Sequence, residues 1–152
     1  MIVIKAVPYD DPVATALRTD LLADLAARYG SDDGDSTPIG PGDFDPPHGG
    51  FLVAWLDGHA AGCVGWRGHG DREAELKRMW VATGARGRGV AKALLAAVEG
   101  AARTAGKTRM VLETGVEQPE AMSLYEASGY HAIGNSGHYA DSPLSRSYAR
   151  DL

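Results

Sequence analysis

Apolar and polar positions switch between a two-residue and a roughly four-residue period along the chain, and each switch marks an element. Residues 2–7 predict a first strand. Pro8 and the run Asp10-Asp11-Pro12 end it and open a helix with proline in its first turn. Leu17, Leu21, Leu25 and Tyr29 recur at helical spacing, so this helix spans 12–29 and Gly30 stops it. Residues 31–50 carry almost no periodicity and are rich in Gly, Pro and Asp, the composition of a long loop. Loops of about twenty residues are uncommon in compact domains and tend to be functional, so the segment is a candidate substrate lid. Residues 51–56 and 60–67 predict two strands joined by the hairpin signal Asp57-Gly58, and 73–81 a third. After a Gly-Arg loop at 82–89, Val90, Leu94, Leu95, Val98, Ala101 and Ala105 mark one face of a long helix that Gly106 stops. Residues 109–113 predict a strand, 119–128 a short helix stopped by Gly129, and 130–133 and 145–148 two late strands. The order β-α-β-β-β-α-β-α-β-β predicts an α/β fold: a mixed central sheet with flanking helices, residues 1–152 forming one domain.

Composition narrows the field. A chain of 152 residues with 44% hydrophobic and 23% charged residues can bury a full core without staples or metals. A single cysteine, Cys63, excludes an internal disulfide and suits a reducing compartment. Its setting in a strand without a motif partner predicts a buried structural thiol. The apolar run at the amino terminus is too short for a signal-peptide core, and no window approaches about 18 apolar residues, so no membrane span is expected and the cytoplasm is the default location. A net charge of −5 argues against broad nucleic-acid binding. The cations that could form a local patch lie mostly between Lys77 and Lys92, which suits a small anion. The five histidines, His48, His59, His69, His131 and His138, show no metal-ligand spacing, so no metal is expected.

The segment TGARGRGVA at 83–91 carries the chemistry. It follows a strand and opens a helix, where unpaired backbone N–H groups and the helix dipole favour an anion. Gly87 and Gly89 let a ligand approach the backbone closely, and Arg86 and Arg88 add full charge, which together describe a phosphate or diphosphate site. A Walker A loop fails because Val90 stands where lysine must be. A dinucleotide fingerprint fails because Lys92 replaces its third glycine.

A third pattern, Arg/Gln-x-x-Gly-x-Gly/Ala, is filled by Arg86, Gly89 and Ala91. With the preceding strand ELKRMWV at 75–81 and the downstream stretch QPEAMSLYEASGY at 118–130, it makes the chain resemble the GNAT superfamily of acyl-CoA-dependent N-acyltransferases. The resemblance covers roughly residues 51–148. It implies that the loop from Arg86 through Gly87, Arg88, Gly89 and Val90 to Ala91 holds the diphosphate of acetyl-CoA. It implies that backbone groups of Met79, Trp80 and Val81, on a strand splayed from its neighbour, grip the thioester. It also implies that Gln118, where the family usually has Asn, meets the cofactor arm.

The resemblance further implies a general acid and a general base. Tyr125, at the motif tyrosine, would protonate the departing thiolate. Glu75 would take the proton of the incoming amine, with Glu113 acting through water as a rival. Strand alternation puts Glu75, Lys77, Met79 and Val81 on one face. Tyr139, in the loop before the last strand, and Trp66 with Arg67 are candidates for lining the acceptor site; Trp55 and Trp80 are expected in the core. The expected reaction is acetyl transfer to a primary amine of a small molecule or amino acid. An acyl-CoA-binding module without turnover and a protein lysine or N-terminal acetyltransferase remain as alternatives, and a homodimer is common in the family.

Overall fold

A computed structural model of the chain describes residues 1–30, 37–40 and 42–152. Its elements follow the order the sequence predicts: β1 (Ile2–Ala6), α1 (Pro12–Tyr29), β2 (Gly49–Leu56), β3 (His59–His69), β4 (Glu73–Val81), α2 (Val90–Thr104), β5 (Arg109–Gly115), α3 (Pro119–Ala127), β6 (His131–Ile133) and β7 (Ser145–Asp151), with short 3-10 turns at Thr83–Ala85 and Gly137–Tyr139. Local chemistry explains the ends. The Asp11 carboxylate accepts from the amides of Val13 and Ala14 and caps α1, with Pro12 in its first turn.

The seven strands form one sheet in the order β1-β2-β3-β4-β5-β7-β6. All pairings are antiparallel except β4 with β5, which is parallel and runs only from Glu73↔Arg109 to Leu76↔Leu112. Both strands continue beyond that point, β4 to Val81 and β5 to Gly115, without pairing to each other. The sheet therefore opens at its centre.

A bulge sits beside this opening. Gly65 pairs with Lys77 and Cys63 with Trp80, so one extra residue is inserted in β4. Arg78 takes up the insertion with φ 59°, left-handed backbone that a non-glycine residue adopts only at a cost of about 1–2 kcal/mol. The bulge reverses the alternation. Met79 and Val81 fall on the same face as Leu76, against α2, while Trp80 faces α1. The expectation that Glu75, Lys77, Met79 and Val81 share one face is thus corrected: the run of four is broken at Arg78.

Two apolar layers sandwich the sheet. One face packs Leu52, Val64, Leu76, Met110 and Leu112 against Val90, Leu94, Leu95 and Val98 of α2 and Tyr125 of α3. The other packs Phe51, Val53 and Cys63 against Ala14 and Leu17 of α1. The buried face of α2 ends on Glu99 and Ala102 rather than on Ala101 and Ala105. Glu99 is tolerated there because Tyr130 Oη donates to it at 2.7 Å and Arg150 at 2.9 and 3.0 Å. Cys63 is fully buried, and burial pushes its thiol up to about 12. The candidate lid at 31–50 divides: 31–36 and 41 lie outside the described residues, while Phe44 is buried and stacks on Tyr9 at 4.8 Å, anchoring the segment before β2. Among the described residues, no helix is long and apolar enough to cross a membrane.

Candidate active site

Where β4 and β5 part, a cleft of about 560 Å³ opens through the sheet. Its walls are the carboxyl-terminal half of α1, the strand segment from Lys77 to Val81, the loop into α2, the end of β5, and α3. Gly89 is the N-cap of α2 with φ 85°, and among the described residues no side chain caps that helix start. The first turn of α2 lines the cleft, with its amides uncapped by any described side chain. Gly87 is also left-handed, at φ 76°, and no described atom lies within 4 Å of where a Cβ on Gly87 or Gly89 would sit. An approachable backbone at a helix start fits a diphosphate.

The loop arginines are held by the protein. Arg86 donates through Nε to the Val81 carbonyl at 3.0 Å and through Nη2 to Asp24 Oδ2 at 2.9 Å. The same Asp24 oxygen accepts from Trp80 Nε1 at 3.0 Å, and Oδ1 accepts from Arg28 Nε at 3.1 Å. Burial tends to raise the Asp24 carboxyl, but the donors from Trp80, Arg28 and Arg86 outweigh it and hold the group below the usual carboxylate range. Arg28 continues the chain of contacts to the Glu117 carbonyl and to the Glu120 carboxylate at the start of α3. Arg88 turns away from the cleft toward Asp57, 3.6 Å off.

At the opposite wall, Tyr125 is 3% exposed, packed near Tyr130 and Tyr148, and lines the cleft. Burial pushes its hydroxyl well above the ordinary tyrosine value, so it stays protonated at neutral pH. Gln118 Nε2 donates to Tyr29 Oη at 3.3 Å, and so does the Glu117 amide. Gly115 makes room for that phenol: a Cβ there would lie 1.7 Å from Tyr29 Oη.

A second cavity, about 520 Å³, lies beside the first and is rimmed by Thr37 and Pro38 on one side and Ser136 to His138 on the other. It holds Glu73, Glu75, Glu113, Arg67 and Arg109. Arg67 is braced by the Pro38 carbonyl at 2.9 Å, Asp43 at 2.8 Å and Glu75 at 3.4 Å; Arg109 pairs with Glu73 at 3.2 Å. Glu113 lines both cavities. Lys77, buried and lining the first cleft, donates to Thr37 Oγ1 on the rim of the second cavity at 2.9 Å and lies 5.8 Å over the Tyr139 ring.

Of the residues singled out in the sequence, the cleft brings together Met79, Trp80, Val81, Arg86, Gly87, Gly89, Val90, Ala91, Glu113, Gln118, Tyr125 and Tyr139. Glu75 lines only the second cavity, and Arg88 lines neither. The profile of the acetyltransferase (GNAT) family matches residues 15–130, from α1 through the end of the α3 motif. The chain belongs to the GNAT acetyltransferase family.

Other GNAT-like proteins agree with the assignment. The chain is 39% identical over 100 residues to an IAA acetyltransferase of Azospirillum brasilense, covering 62% of this chain and 63% of the relative. It is 39% identical over 138 residues to the N-acetylaspartate synthetase of Rattus norvegicus, covering 90% of this chain and 41% of that protein. The chain spans 41% to 63% of the length of the curated relatives it matches. Among solved structures, one from Klebsiella pneumoniae described as an acyl-CoA N-acyltransferase superposes with TM-score 0.83 at 27% identity, covering 100% of this chain and 98% of that one. A GNAT acetyltransferase of Elizabethkingia anophelis with acetyl-CoA bound shares the fold at TM-score 0.70 and 15% identity, covering 99% and 98%.

The GNAT motifs do not point to Asp24, Arg28 or Tyr29, yet all three line the cleft. The signal available for them is helical spacing. Leu17, Leu21, Asp24 and Arg28 follow the three- and four-residue steps of one stripe along α1, whose apolar beginning is buried.

Proposed function

We propose that the protein transfers an acetyl group from acetyl-CoA to the primary amine of a small, amino-acid-like molecule. The observation that carries this reading is that a donor cleft and a polar second cavity share Glu113, beside the point where β4 and β5 separate. The donor's diphosphate would lie against the backbone from Arg86 to Ala91. The thioester would lie along Met79, Trp80 and Val81, where each backbone N–H aimed at the developing oxyanion is worth about 3 kcal/mol of barrier.

The acceptor would occupy the second cavity. A lysine-like amine titrates near about 10.4 and must lose a proton before it attacks. Glu113 is suited to take that proton, directly or through a water, because among the described carboxylates of the second cavity it is the one that also lines the first cleft. Glu75, the base that the family resemblance suggests, is engaged by Arg67 and lies 3.9 Å from Lys77, which suits it to shaping the acceptor site. Attack forms the N–C bond, the C–S bond breaks, and Tyr125, kept protonated by burial, would supply the proton that the thiolate needs.

An amino-acid-like acceptor is supported by the cavity's mixed charges and by the relative named N-acetylaspartate synthetase. The test is release of free coenzyme A thiol against a panel of amino acids, their decarboxylated amines and short peptides. Turnover with the free amino acids and none with peptides supports the reading. Turnover confined to peptides would replace it with a protein N-acetyltransferase.

A further inference from the structure

We propose that Asp24 is a positioning residue for the acyl donor: its carboxylate sets the arginine of the diphosphate loop and the indole of β4 at the spacing the donor requires. The inference rests on the donor reading above and concerns a residue outside the loop, β4 and α3 motifs that identify the family.

Asp24 sits on α1, yet the two groups that converge on its Oδ2 come from elsewhere. Trp80 Nε1, at 3.0 Å, belongs to the strand segment beyond the sheet's split. Arg86 Nη2, at 2.9 Å, belongs to the loop that opens α2. Arg86 is also tied to the Val81 carbonyl, so one guanidinium joins the end of β4, the loop and α1. Oδ1 accepts from Arg28, which reaches on to the Glu117 carbonyl before α3 and to the Glu120 carboxylate in its first turn. A single carboxylate thus connects the segments that form three walls of the cleft. The three bonds measure 2.9 to 3.1 Å, and two of the three donors are cationic, the class of hydrogen bond with the largest effect.

This role differs in sign from that of an ordinary neighbouring charge. A carboxylate beside a diphosphate site repels the ligand, and Asp24 also offsets the charge of Arg86. If that were its whole effect, Asp24→Asn would tighten acetyl-CoA binding. Positioning predicts the reverse. The amide of Asn can offer its single carbonyl oxygen either to Arg28 or to the Trp80–Arg86 pair, not to both, so part of the cleft is released.

The experiment is calorimetric titration of acetyl-CoA into the wild-type protein and into Asp24→Asn, Arg86→Met and the double variant, with steady-state kinetics alongside. Asp24→Asn is expected to weaken donor binding about tenfold to a hundredfold, the range set by one or two lost charge-assisted hydrogen bonds. The KM for the acceptor should stay within about twofold, a change of well under 1 kcal/mol. The double variant should lose less than the two single losses combined, because part of the Asp24 effect passes through Arg86 and only the Trp80 arm remains to be lost from Arg86→Met. Trp80→Phe, which removes only the N–H donor, should weaken binding severalfold, and it carries the test if Asp24→Asn fails to fold. Unchanged or tighter donor binding in a folded Asp24→Asn, or additive losses in the double variant, would overturn the inference while leaving the donor reading intact. Absence of uptake by the wild-type protein would overturn the donor reading and the inference together.

Discussion

The two cavities on either side of Glu113 are built from different materials. The first cleft, the proposed donor site, presents backbone: a helix start, two left-handed glycines and the ends of β4 and β5 that do not pair with each other. The second cavity is made of side chains, with Arg67, Asp43 and Glu75 in one linked group and Arg109 with Glu73 in another. A backbone site suits a ligand part that does not vary, such as a diphosphate, because its geometry is set by the fold. A side-chain site can be rewritten residue by residue, which is what a variable acceptor requires.

Substitutions at the junction test that division most strongly. Tyr125→Phe removes the proposed acid while leaving the ring packed, so kcat should fall by about 10²–10⁴-fold with donor affinity unchanged. A loss of donor affinity instead would assign the tyrosine to the backbone side of the comparison. Next in size, Glu113→Gln should lower kcat/KM for the acceptor by about a hundredfold, and Glu75→Gln by much less. The opposite ranking would move the base onto β4 and confine Glu113 to the cleft wall.

Smaller effects sharpen the boundary. Gly115→Ala places a Cβ 1.7 Å from Tyr29 Oη, so the phenol must leave Gln118 and Glu117. Overpacking of this kind costs about 1–3 kcal/mol, read as a lower urea midpoint, and acceptor KM should not change. The smallest effect is a pH dependence. The Asp24 carboxyl is held below its ordinary value, because its three donors outweigh the opposing effect of burial. Its contribution to stability is then complete above the unfolded value of about 3.9 and is lost as pH falls through the lowered folded value. The difference in urea midpoint between wild type and Asp24→Asn should be flat from about pH 5 to 8 and close toward about pH 3. A difference that widens on acidification would contradict the hydrogen-bonded carboxylate.

The same contrast explains what could be read in advance. The helix start that lines the first cleft was legible because Gly87, Gly89 and the apolar stripe from Val90 to Val98 state a backbone geometry in local sequence. Hairpin and helix-stop signals likewise mark the order of all seven strands and three helices. The bulge at Arg78 was not legible, since nothing in a β-like run reports an inserted residue, and so the faces of Met79 and Val81 came out reversed. Helical spacing places Asp24 on the stripe of α1, but its partners Trp80 and Arg86, like the grouping of Arg67 with Asp43, were not legible. Their contacts span 24 to 62 residues of chain, distances at which spacing carries no information. Glu99, a carboxylate on the buried face of α2, is explained only by Tyr130 and Arg150, which arrive from elsewhere in the fold.

The central claim is that the backbone between Arg86 and Ala91 takes the diphosphate of the donor. Amide hydrogen exchange of the protein with coenzyme A, and with pantetheine as a companion lacking the diphosphate, tests it directly. The account predicts slowed exchange of the 87–91 amides with coenzyme A and none there with pantetheine. Unchanged exchange in that segment with bound coenzyme A, or equal protection by pantetheine, would contradict it.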